Sequence, residues 1–252
     1  MSVLEVKNLT KSFDGLRALD IQMPVGFEAG EITSMIGPNG AGKTTLFNLI
    51  NGFIKPDAGT ILYRGKDITG LSPWSVARLG IGRLFQDVRP FQRLTVCDNV
   101  LSAFKEQRGE NPLCSLFMRW KVAADEARLT EKTMGLLRFV GLADKADEPA
   151  ENLSFGQQKL LSIARMLAAD SDVLLLDEPT AGVNPQMVTT ILDVMRKLAS
   201  EGKTIVVIEH NMNVVLAISD WVNFMDEGQI LAVGHPDEVL GNSEVRATYM
   251  GL

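Results

Sequence analysis

Cysteine, histidine and long apolar runs are scarce in this sequence, and each scarcity excludes a class of protein. The 252 residues include two cysteines, Cys97 and Cys114, which form no CxxC pair, and two histidines. This leaves no framework for disulfides or a zinc site. No apolar run approaches the roughly 20 residues that span a bilayer, and the N-terminus shows no signal-peptide pattern. We therefore expect a protein of the reducing cytoplasm that meets membranes only through a partner.

An excess of positive charge is also lacking. The chain has 25 Lys and Arg against 31 Asp and Glu, for a net charge of -6. A dedicated DNA or RNA binder would normally show a basic stripe, so nucleic acid is not the expected partner. Hydrophobic residues make up 46% of the chain, which is enough for the core of one large domain.

The hydrophobic pattern predicts an α/β fold in a single domain, 1–252. Short alternating segments up to about residue 36 indicate antiparallel strands, and Glu227-Gly228 is expected to turn a hairpin. The runs VLLLDEP and KTIVVIEH are typical of strands buried on both faces. Helical spacing dominates 87–152. We expect a catalytic core at 1–86 and 153–235, a helical subdomain at 87–152, and C-terminal helices at 236–252.

A glycine-rich loop separates the strand that ends near Ile36 from a helix expected at about 43–51. The pattern Gly-x4-Gly-Lys-Thr in this context is typical of a phosphate-binding loop, or Walker A motif. Glycines let backbone N–H groups converge on a phosphate chain, and the following helix adds its positive end. Lys43 is expected on the β and γ phosphates, and Thr44 on Mg²⁺. The predicted ATP contacts are Gly37, Asn39, Gly40, Ala41, Gly42, Lys43, Thr44 and Thr45. The alternative is an ordinary glycine-rich turn.

Two carboxylates, Asp177 and Glu178, end the apolar run VLLLDEP. Open α/β sheets bind ligands at the carboxyl ends of their strands. Asp177 is therefore predicted to hold Mg²⁺, and Glu178 to orient or deprotonate the attacking water. In isolation such a pair would more commonly cap a helix before Pro179, but the phosphate loop upstream favours the catalytic interpretation.

The stretch Leu153-Ser154-Phe155-Gly156-Gln157, placed shortly before that strand, resembles the signature of the nucleotide-binding subunits of ATP-binding cassette (ABC) transporters. The resemblance runs essentially end to end. It implies a P-loop NTPase cassette with a RecA-like mixed sheet, an antiparallel β subdomain and an inserted α-helical subdomain. It also implies ATP and Mg²⁺ as cofactors and ATP hydrolysis coupled to transport.

Three further site residues are implied by the resemblance. Phe13 is similar to the aromatic residue that stacks on adenine, although a Phe in a strand is more often part of a core. Gln86, in GRLFQDV, resembles the glutamine that contacts Mg²⁺ and the attacking water, and would otherwise be a surface residue. His210, after KTIVVI, resembles the histidine that hydrogen-bonds the γ-phosphate, and would otherwise be structural.

Ser154, Gly156 and Gln157 are implied to face the nucleotide of a second subunit, so that two cassettes enclose two ATP molecules. A plain helix N-cap at Ser154 is the alternative. The chain departs from the common pattern at Phe155, where many cassettes have glycine, and at Asn184, where aspartate is common. We expect hydrolysis at both sites, while Asn184 puts the communication between them in question.

Softer motifs, among them GIGRLFQDVRPFQRLTVCDNVLSAF and EHNMNVV, resemble the ATPases of importers for branched-chain amino acids, urea or amides. The implied partners are permeases in the membrane, a second ATPase subunit and, indirectly, a solute-binding protein, with the cassette at the cytoplasmic face. Val88 and Phe91, rimmed by Arg89 and Arg93, would line a docking groove for the permease, and a solvated turn before a helix is the alternative for this stretch. Phe117, Met118 and Trp120 are a further docking candidate or core residues. The alternatives are a lipopolysaccharide- or lipid-export ATPase, a soluble ABC protein acting on nucleic acid or ribosomes, and a non-catalytic cassette.

Overall fold

The computed structural model describes residues 2–105 and 119–250, without the side chains of 119–123, 244, 249 and 250. The candidate docking residues Phe117, Met118 and Trp120 therefore lie outside the described side chains. The chain divides into two compact units. One comprises Met1–Gln86, Asp172–Ala181 and Met195–Leu252, and the other comprises Asp87–Ser171 and Gly182–Val194.

The described elements alternate between strands and helices along most of the chain. The strands are β1 Ser2–Phe13, β2 Leu16–Ile21, β3 Val25–Glu28, β4 Ile32–Ile36, β5 Ala58–Tyr63, β6 Lys66–Asp67, β7 Ile81–Leu84, β8 Val173–Asp177, β9 Thr204–Ile208, β10 Trp221–Asp226 and β11 Gln229–Gly234. The helices are α1 Lys43–Ile50, α2 Pro73–Leu79, α3 Val96–Leu101, α4 Arg119–Phe139, α5 Phe155–Ala168, α6 Pro185–Ser200, α7 Met212–Ile218, α8 Pro236–Gly241 and α9 Ser243–Met250, with 3₁₀ turns at Ala143–Lys145 and Ala150–Asn152.

The first unit contains two sheets. In the smaller sheet the order is β2-β1-β5-β6, with β3 also paired to β1, and every pairing is antiparallel. Strand β1 shows why the sequence alternates there, because Leu4, Val6 and Leu9 are buried while the residues between them are mostly more exposed. One face of this sheet packs into the core.

The larger sheet has the order β11-β10-β4-β9-β8-β7. All its pairings are parallel except that of β10 with β11. Every residue of β4, β8 and β9 is buried, which accounts for their continuous apolar runs. Because these strands are parallel, the segments that follow β4, β7, β8 and β9 emerge at the same edge. This edge is where the predicted site residues gather.

The second unit is helical. Helices α3, α4 and α5 contact one another, and their buried residues include Val100, Leu137 and Leu160. The predicted helical segment 87–152 lies within this unit, which also takes in α5 and part of α6.

Most element predictions are confirmed, one helix is shorter than predicted, and two elements were not predicted. The hairpin of β10 and β11 turns at Glu227-Gly228, and a helix runs over Pro185–Ser200, as predicted. The helical spacing from Thr95 to Lys105 gives a helix only over Val96–Leu101. Helix α2 and strand β7 were not predicted, although Ser72 caps α2 through its side chain and Pro73 follows in the first turn. That signal was present in the sequence.

Among the residues that the structure describes, no helix combines the length and the apolar character needed to cross a bilayer.

Candidate nucleotide site

The predicted phosphate loop occupies the connection between β4 and α1, and two of its glycines sit where another residue would not fit. A Cβ on Gly37, which has φ 148°, would lie 1.9 Å from the backbone oxygen of Met225. A Cβ on Gly42, with φ 98°, would lie 2.7 Å from that of Ala18. The glycines therefore allow neighbouring backbone to approach from behind, and the loop keeps a concave front.

That front is one wall of a cleft of about 410 Å³. The predicted residues Asn39 and Gly40 are exposed there, and Thr44 is exposed in the first turn of α1. The lining residues are Ala18, Asn39, Gly40, Ala41, Gly42, Lys43, Thr44, Thr45, Gln86, Asp177, Glu178, Ile208 and His210. The structure thus brings most of the predicted phosphate-binding and catalytic residues to one cleft, although Gly37 lies behind its lining.

Lys43 folds back across the loop. Its Nζ donates to the carbonyl oxygens of Gly37 at 2.7 Å and Pro38 at 2.9 Å, and the residue is only 6% exposed. Burial lowers the pKa of Lys43, and the charges of Glu178 and then Asp177 oppose that shift. The ammonium is held by polar groups of the loop, so its stem is already ordered at the place where a phosphate would bind.

Asp177 ends β8 and is paired with an arginine that the sequence analysis missed. Arg83, in β7, donates to Asp177 Oδ2 at 3.0 Å, and the two side chains are 4% and 9% exposed. Burial raises the pKa of Asp177, and the hydrogen bond from Arg83 opposes this. Arg83 also donates to Asn48 Oδ1 of α1 at 2.6 Å and lies over the Phe85 ring. A charged residue inside an apolar strand was the available signal.

Glu178 stands between two other predicted residues. Its Oε2 accepts a hydrogen bond of 2.9 Å from Gln86 Nε2, and its Oε1 lies 3.1 Å from His210 Nε2. The backbone of Glu178 is left-handed, with φ 48°, a conformation that costs a non-glycine residue energy. No helix begins at Pro179, because the next helix, α6, begins at Pro185. This excludes the interpretation of Glu178 as a helix cap. Its carboxylate is instead oriented from both sides beside the phosphate loop.

The oxygen donors at this cleft fit a magnesium ion held together with a nucleotide. Thr44 presents an exposed hydroxyl, and Asp177 Oδ1 has no hydrogen-bond donor within the described residues. Across the described ranges there is no group of three or more His, Cys, Asp or Glu side chains suited to a metal. Mg²⁺ in nucleotide sites needs only one or two protein ligands because phosphates and water supply the rest.

The signature stretch lies in the second unit, at the start of α5. Ser154 caps the helix, with its Oγ 3.4 Å from the Gln157 N–H, and Gln157 Oε1 accepts from the Ser154 N–H at 2.9 Å. A Cβ on Gly156 would lie 2.4 Å from Met187 Cγ. The cap that was the alternative for Ser154 is thus present.

A sequence profile described as ABC transporter matches residues 22–181, from before the phosphate loop to just after Glu178. The chain belongs to the ABC transporter family. It is 40% identical over 251 residues to the probable branched-chain amino acid transport ATP-binding protein LivG of Archaeoglobus fulgidus, covering 100% of this chain and 96% of the relative. It is 39% identical to the high-affinity branched-chain amino acid transport ATP-binding protein BraF of Pseudomonas aeruginosa, covering 99% and 98%.

Solved cassettes share the fold over the whole chain. A crystal structure of a nucleotide-free ATP-binding cassette from an ABC transporter matches with a TM-score of 0.85 and 36% identity, covering 100% of both chains. The ADP conformation of an ATP-binding cassette matches equally well. The dimeric structure of a post-hydrolysis state of a cassette bound to ADP and Pi matches with a TM-score of 0.76 and 25% identity, covering 92% of this chain and 98% of that one.

In this ABC cassette the predicted adenine-stacking residue lies apart from the cleft lining. Phe13 ends β1, its side chain is 42% exposed, and Lys11 Nζ lies 5.6 Å from the ring centroid. The exposure argues against the alternative that Phe13 is a core residue. From the next strand, Ala18 lines the cleft.

A depression lies within the second unit at the segment predicted to form a docking groove, and Phe91 but not the predicted Val88 is among its lining residues. Arg89 to Leu94 line a shallow depression of about 540 Å³, in which Phe91 is 52% exposed and Leu94 is 40% exposed. Arg165 lies over the Phe91 ring at 4.9 Å. The departure at Asn184 has a local structural role, because its Oδ1 accepts from the Met187 N–H at 2.9 Å.

Proposed function

We propose that this protein is the ATP-binding and ATP-hydrolysing subunit of an importer for branched-chain amino acids or related small polar solutes. The observation that carries the chemistry is the Glu178 carboxylate, oriented by Gln86 and His210 beside the phosphate loop. The solute class is supported by relatives named for branched-chain amino acid transport at 36% to 40% identity over nearly their full length.

The nucleotide is held by the phosphate loop. Backbone N–H groups from Asn39 to Thr45, all of which line the cleft, surround the phosphates, and the positive end of α1 favours their charge. Lys43 exchanges its contacts with Gly37 and Pro38 for the β and γ phosphate oxygens, because a charge-assisted bond is stronger than a bond to a carbonyl. Phe13 stacks on the adenine from the end of β1.

Thr44, Asp177 and Gln86 would hold Mg²⁺. When bound there, the ion would neutralise charge on the phosphate oxygens. Arg83 occupies one carboxylate oxygen of Asp177 and leaves Oδ1 for the ion or its water.

Glu178 orients the attacking water and accepts its proton. Gln86 and His210 fix the two carboxylate oxygens of Glu178 in the resting site. During turnover His210 would turn to the γ-phosphate, and Gln86 would turn to the attacking water and to the site that would hold Mg²⁺. Positioned acid–base groups of this kind contribute about 10²- to 10⁴-fold in rate.

Two cassettes act together, with Ser154, Gly156 and Gln157 of each facing the nucleotide of the other. The exposure of Ser154 at the start of α5 supports this, although Gly156 is buried. A dimeric post-hydrolysis structure of a related cassette also supports it. The second subunit is a copy of this chain or a paralogue.

The cassette works at the cytoplasmic face of the membrane, bound to permease subunits, with a solute-binding protein as an indirect partner. The depression at Arg89–Leu94 receives the permease, since it combines exposed Phe91 and Leu94 with the flanking charges of Arg89 and Arg93. We assign the functional parts of the chain accordingly. The catalytic core is 1–86 and 153–235, the helical subdomain is 87–152, and the C-terminal helices are 236–252.

The chemistry is tested by two variants of the purified protein. Glu178→Gln should bind ATP, lose turnover by at least about 100-fold, and accumulate as an ATP-bound dimer in size-exclusion chromatography. Lys43→Ala should lose nucleotide binding. A Glu178→Gln protein that hydrolyses ATP at the normal rate would refute the assigned base.

The transport assignment is tested in the native host. The tagged protein, extracted in mild detergent, should co-purify with two permeases and a sister cassette, and its deletion should abolish uptake of radiolabelled leucine. Recovery of a lipid-export permease with unchanged leucine uptake would keep the ATPase chemistry and refute the importer.

A further inference from the structure

A second glutamate, Glu209, is buried behind the cleft and has no part in the chemistry proposed above. It follows β9 directly and precedes His210, and it is 3% exposed. It does not line the cleft. A buried carboxylate is costly unless hydrogen-bond donors surround it, so its donors indicate what it is for.

The donors come from the two catalytic segments. Glu209 Oε1 accepts from the Thr180 N–H at 3.1 Å and from the Thr180 hydroxyl at 2.7 Å. Oε2 accepts from the backbone N–H of His210 at 3.3 Å. One carboxylate therefore joins Thr180, which lies two positions after Glu178, to His210, whose ring contacts Glu178. All of these residues lie in the first unit.

Glu178 needs such a support. Its left-handed backbone, with φ 48°, persists only where the surroundings hold it. On its N-terminal side the Glu178 N–H donates to the Ile208 carbonyl at 3.0 Å. On its C-terminal side the chain is fixed at Thr180 by Glu209. Both anchors belong to Ile208-Glu209, so the last residue of β9 and the residue that follows it set the backbone of Glu178.

We propose that Glu209 is a positioning residue, which together with Thr180 holds the Glu178 carboxylate and His210 in register for hydrolysis. The proposal rests on the function proposed above. Glu209 acts through Glu178 and His210 and does not line the nucleotide cleft. Its loss should lower kcat, because misplacing a reacting group by about 1 Å costs roughly 100-fold in rate. The phosphate loop is untouched, so nucleotide affinity and KM should stay close to the wild-type values.

The first test compares Glu209→Gln with two variants of Thr180 in the full-length protein. Glu209→Gln keeps the size of the side chain but replaces one acceptor oxygen by a donor, which must face an N–H group. We expect kcat to fall about 10- to 100-fold, with KM for ATP and the binding of ATP measured in EDTA unchanged within about threefold. Thr180→Val, which loses the hydroxyl donor, should also lower kcat. Thr180→Ser keeps both donors and should retain turnover.

The second test separates positioning from general stability. If Glu209 acts through Glu178 and His210, adding Glu209→Gln to Glu178→Gln should lower the residual rate by a smaller factor than it lowers the wild-type rate. A stability effect would lower both rates by the same factor. If Glu209→Gln does not fold, Thr180→Val is introduced into the wild-type protein and into Glu178→Gln, and the same comparison of rates is made.

The outcomes distinguish the two proposals. Wild-type kcat in both Glu209→Gln and Thr180→Val, a loss of nucleotide affinity equal to the loss of kcat, or multiplicative rates would each overturn the positioning function. None of these results affects the proposed ATPase. Normal turnover in Glu178→Gln would instead refute the proposed catalytic base, and the positioning proposal with it.

Discussion

Replacement of Asn99 by leucine should loosen the loop that forms the proposed permease-docking depression. Asn99 is fully buried in α3 of the second unit. Its Oδ1 accepts from the Phe91 N–H at 2.9 Å, and its Nδ2 lies 3.0 to 3.3 Å from the carbonyl oxygens of Phe91, Leu94 and Thr95. One side chain thus closes the loop 91–95 on itself, and leucine of similar size would fill the space without any of these bonds.

The expected loss in the free energy of unfolding follows from the hydrogen bonds that each partner of Asn99 retains. The amide has two hydrogens for three carbonyls, and all three carbonyls retain a backbone donor, from Leu94, Ala150 and Asn99 respectively. Losing two such bonds costs about 1 kcal/mol each. The Phe91 N–H loses its side-chain acceptor, Asn99 Oδ1. Such a loss costs about 1 to 3 kcal/mol when the group is buried, and the cost is lower here because Phe91 lies at the surface. We expect a total of about 2 to 4 kcal/mol for Asn99→Leu.

Asn99→Asp should add a pH dependence. The carboxylate keeps the bond from the Phe91 N–H but turns an oxygen toward the three carbonyls, so the folded variant favours the protonated acid and the pKa of the introduced carboxyl rises above about 3.9. A group whose folded pKa is raised binds more protons when folded. The Asn99→Asp variant should therefore lose stability as pH rises from about 4 through the folded pKa, and regain it on acidification.

Hydrogen exchange of a peptide covering 90–96, together with urea unfolding, measures the effect in the loop itself, because the two units need not unfold together. Asn213→Leu, at an exposed position of the first unit, is the control and should lie within about 0.5 kcal/mol of wild type. Wild-type exchange at 90–96 in Asn99→Leu would refute the reasoning.

Three other predictions concern the nucleotide site and the signature. Gly37→Ala should abolish binding of a fluorescent ATP analogue, since its Cβ would lie 1.9 Å from a backbone oxygen, whereas Gly40→Ala meets nothing within 4 Å and should cost only about 1 kcal/mol through its positive φ. Arg83→Met leaves Asp177 buried without its cation; it should destabilise the fold by about 3 kcal/mol or more in thermal unfolding and weaken ATP binding more in Mg²⁺ than in EDTA. Ser154→Ala removes the α5 cap, at about 1 kcal/mol in chemical denaturation, without altering ATP binding by the monomer.

The parts of the fold that the sequence predicts are those specified by neighbouring residues. The phosphate loop is one example, because its glycines and the following Lys43 and Thr44 are contiguous. The hairpin at Glu227-Gly228 is another, because a left-handed turn favours glycine. The buried strands VLLLD and TIVVI are apolar throughout since both faces are covered.

The parts that escaped prediction depend on residues distant in the chain. Arg83 makes its two hydrogen bonds with Asn48 and Asp177, which are 35 and 94 residues away. Glu209 meets Thr180 across 29 residues. The local sequence around an arginine or a glutamate beside an apolar strand does not show which residue is its partner. Only the order of the strands brings the partners together, and a pattern of apolar residues does not specify that order.

That order also explains why β9 is important for catalysis. Strand β9 lies between β4, which leads into the phosphate loop, and β8, which ends at Asp177, and Ile208 is opposite both Met35 and Asp177 in register. The two motifs are therefore not neighbours in the sheet, and the end of β9 spans the gap between them. Its backbone holds the Glu178 N–H, and its next residue, Glu209, holds Thr180. A substitution at the end of β9 should consequently displace the Glu178 carboxylate more than it displaces the nucleotide-binding residues.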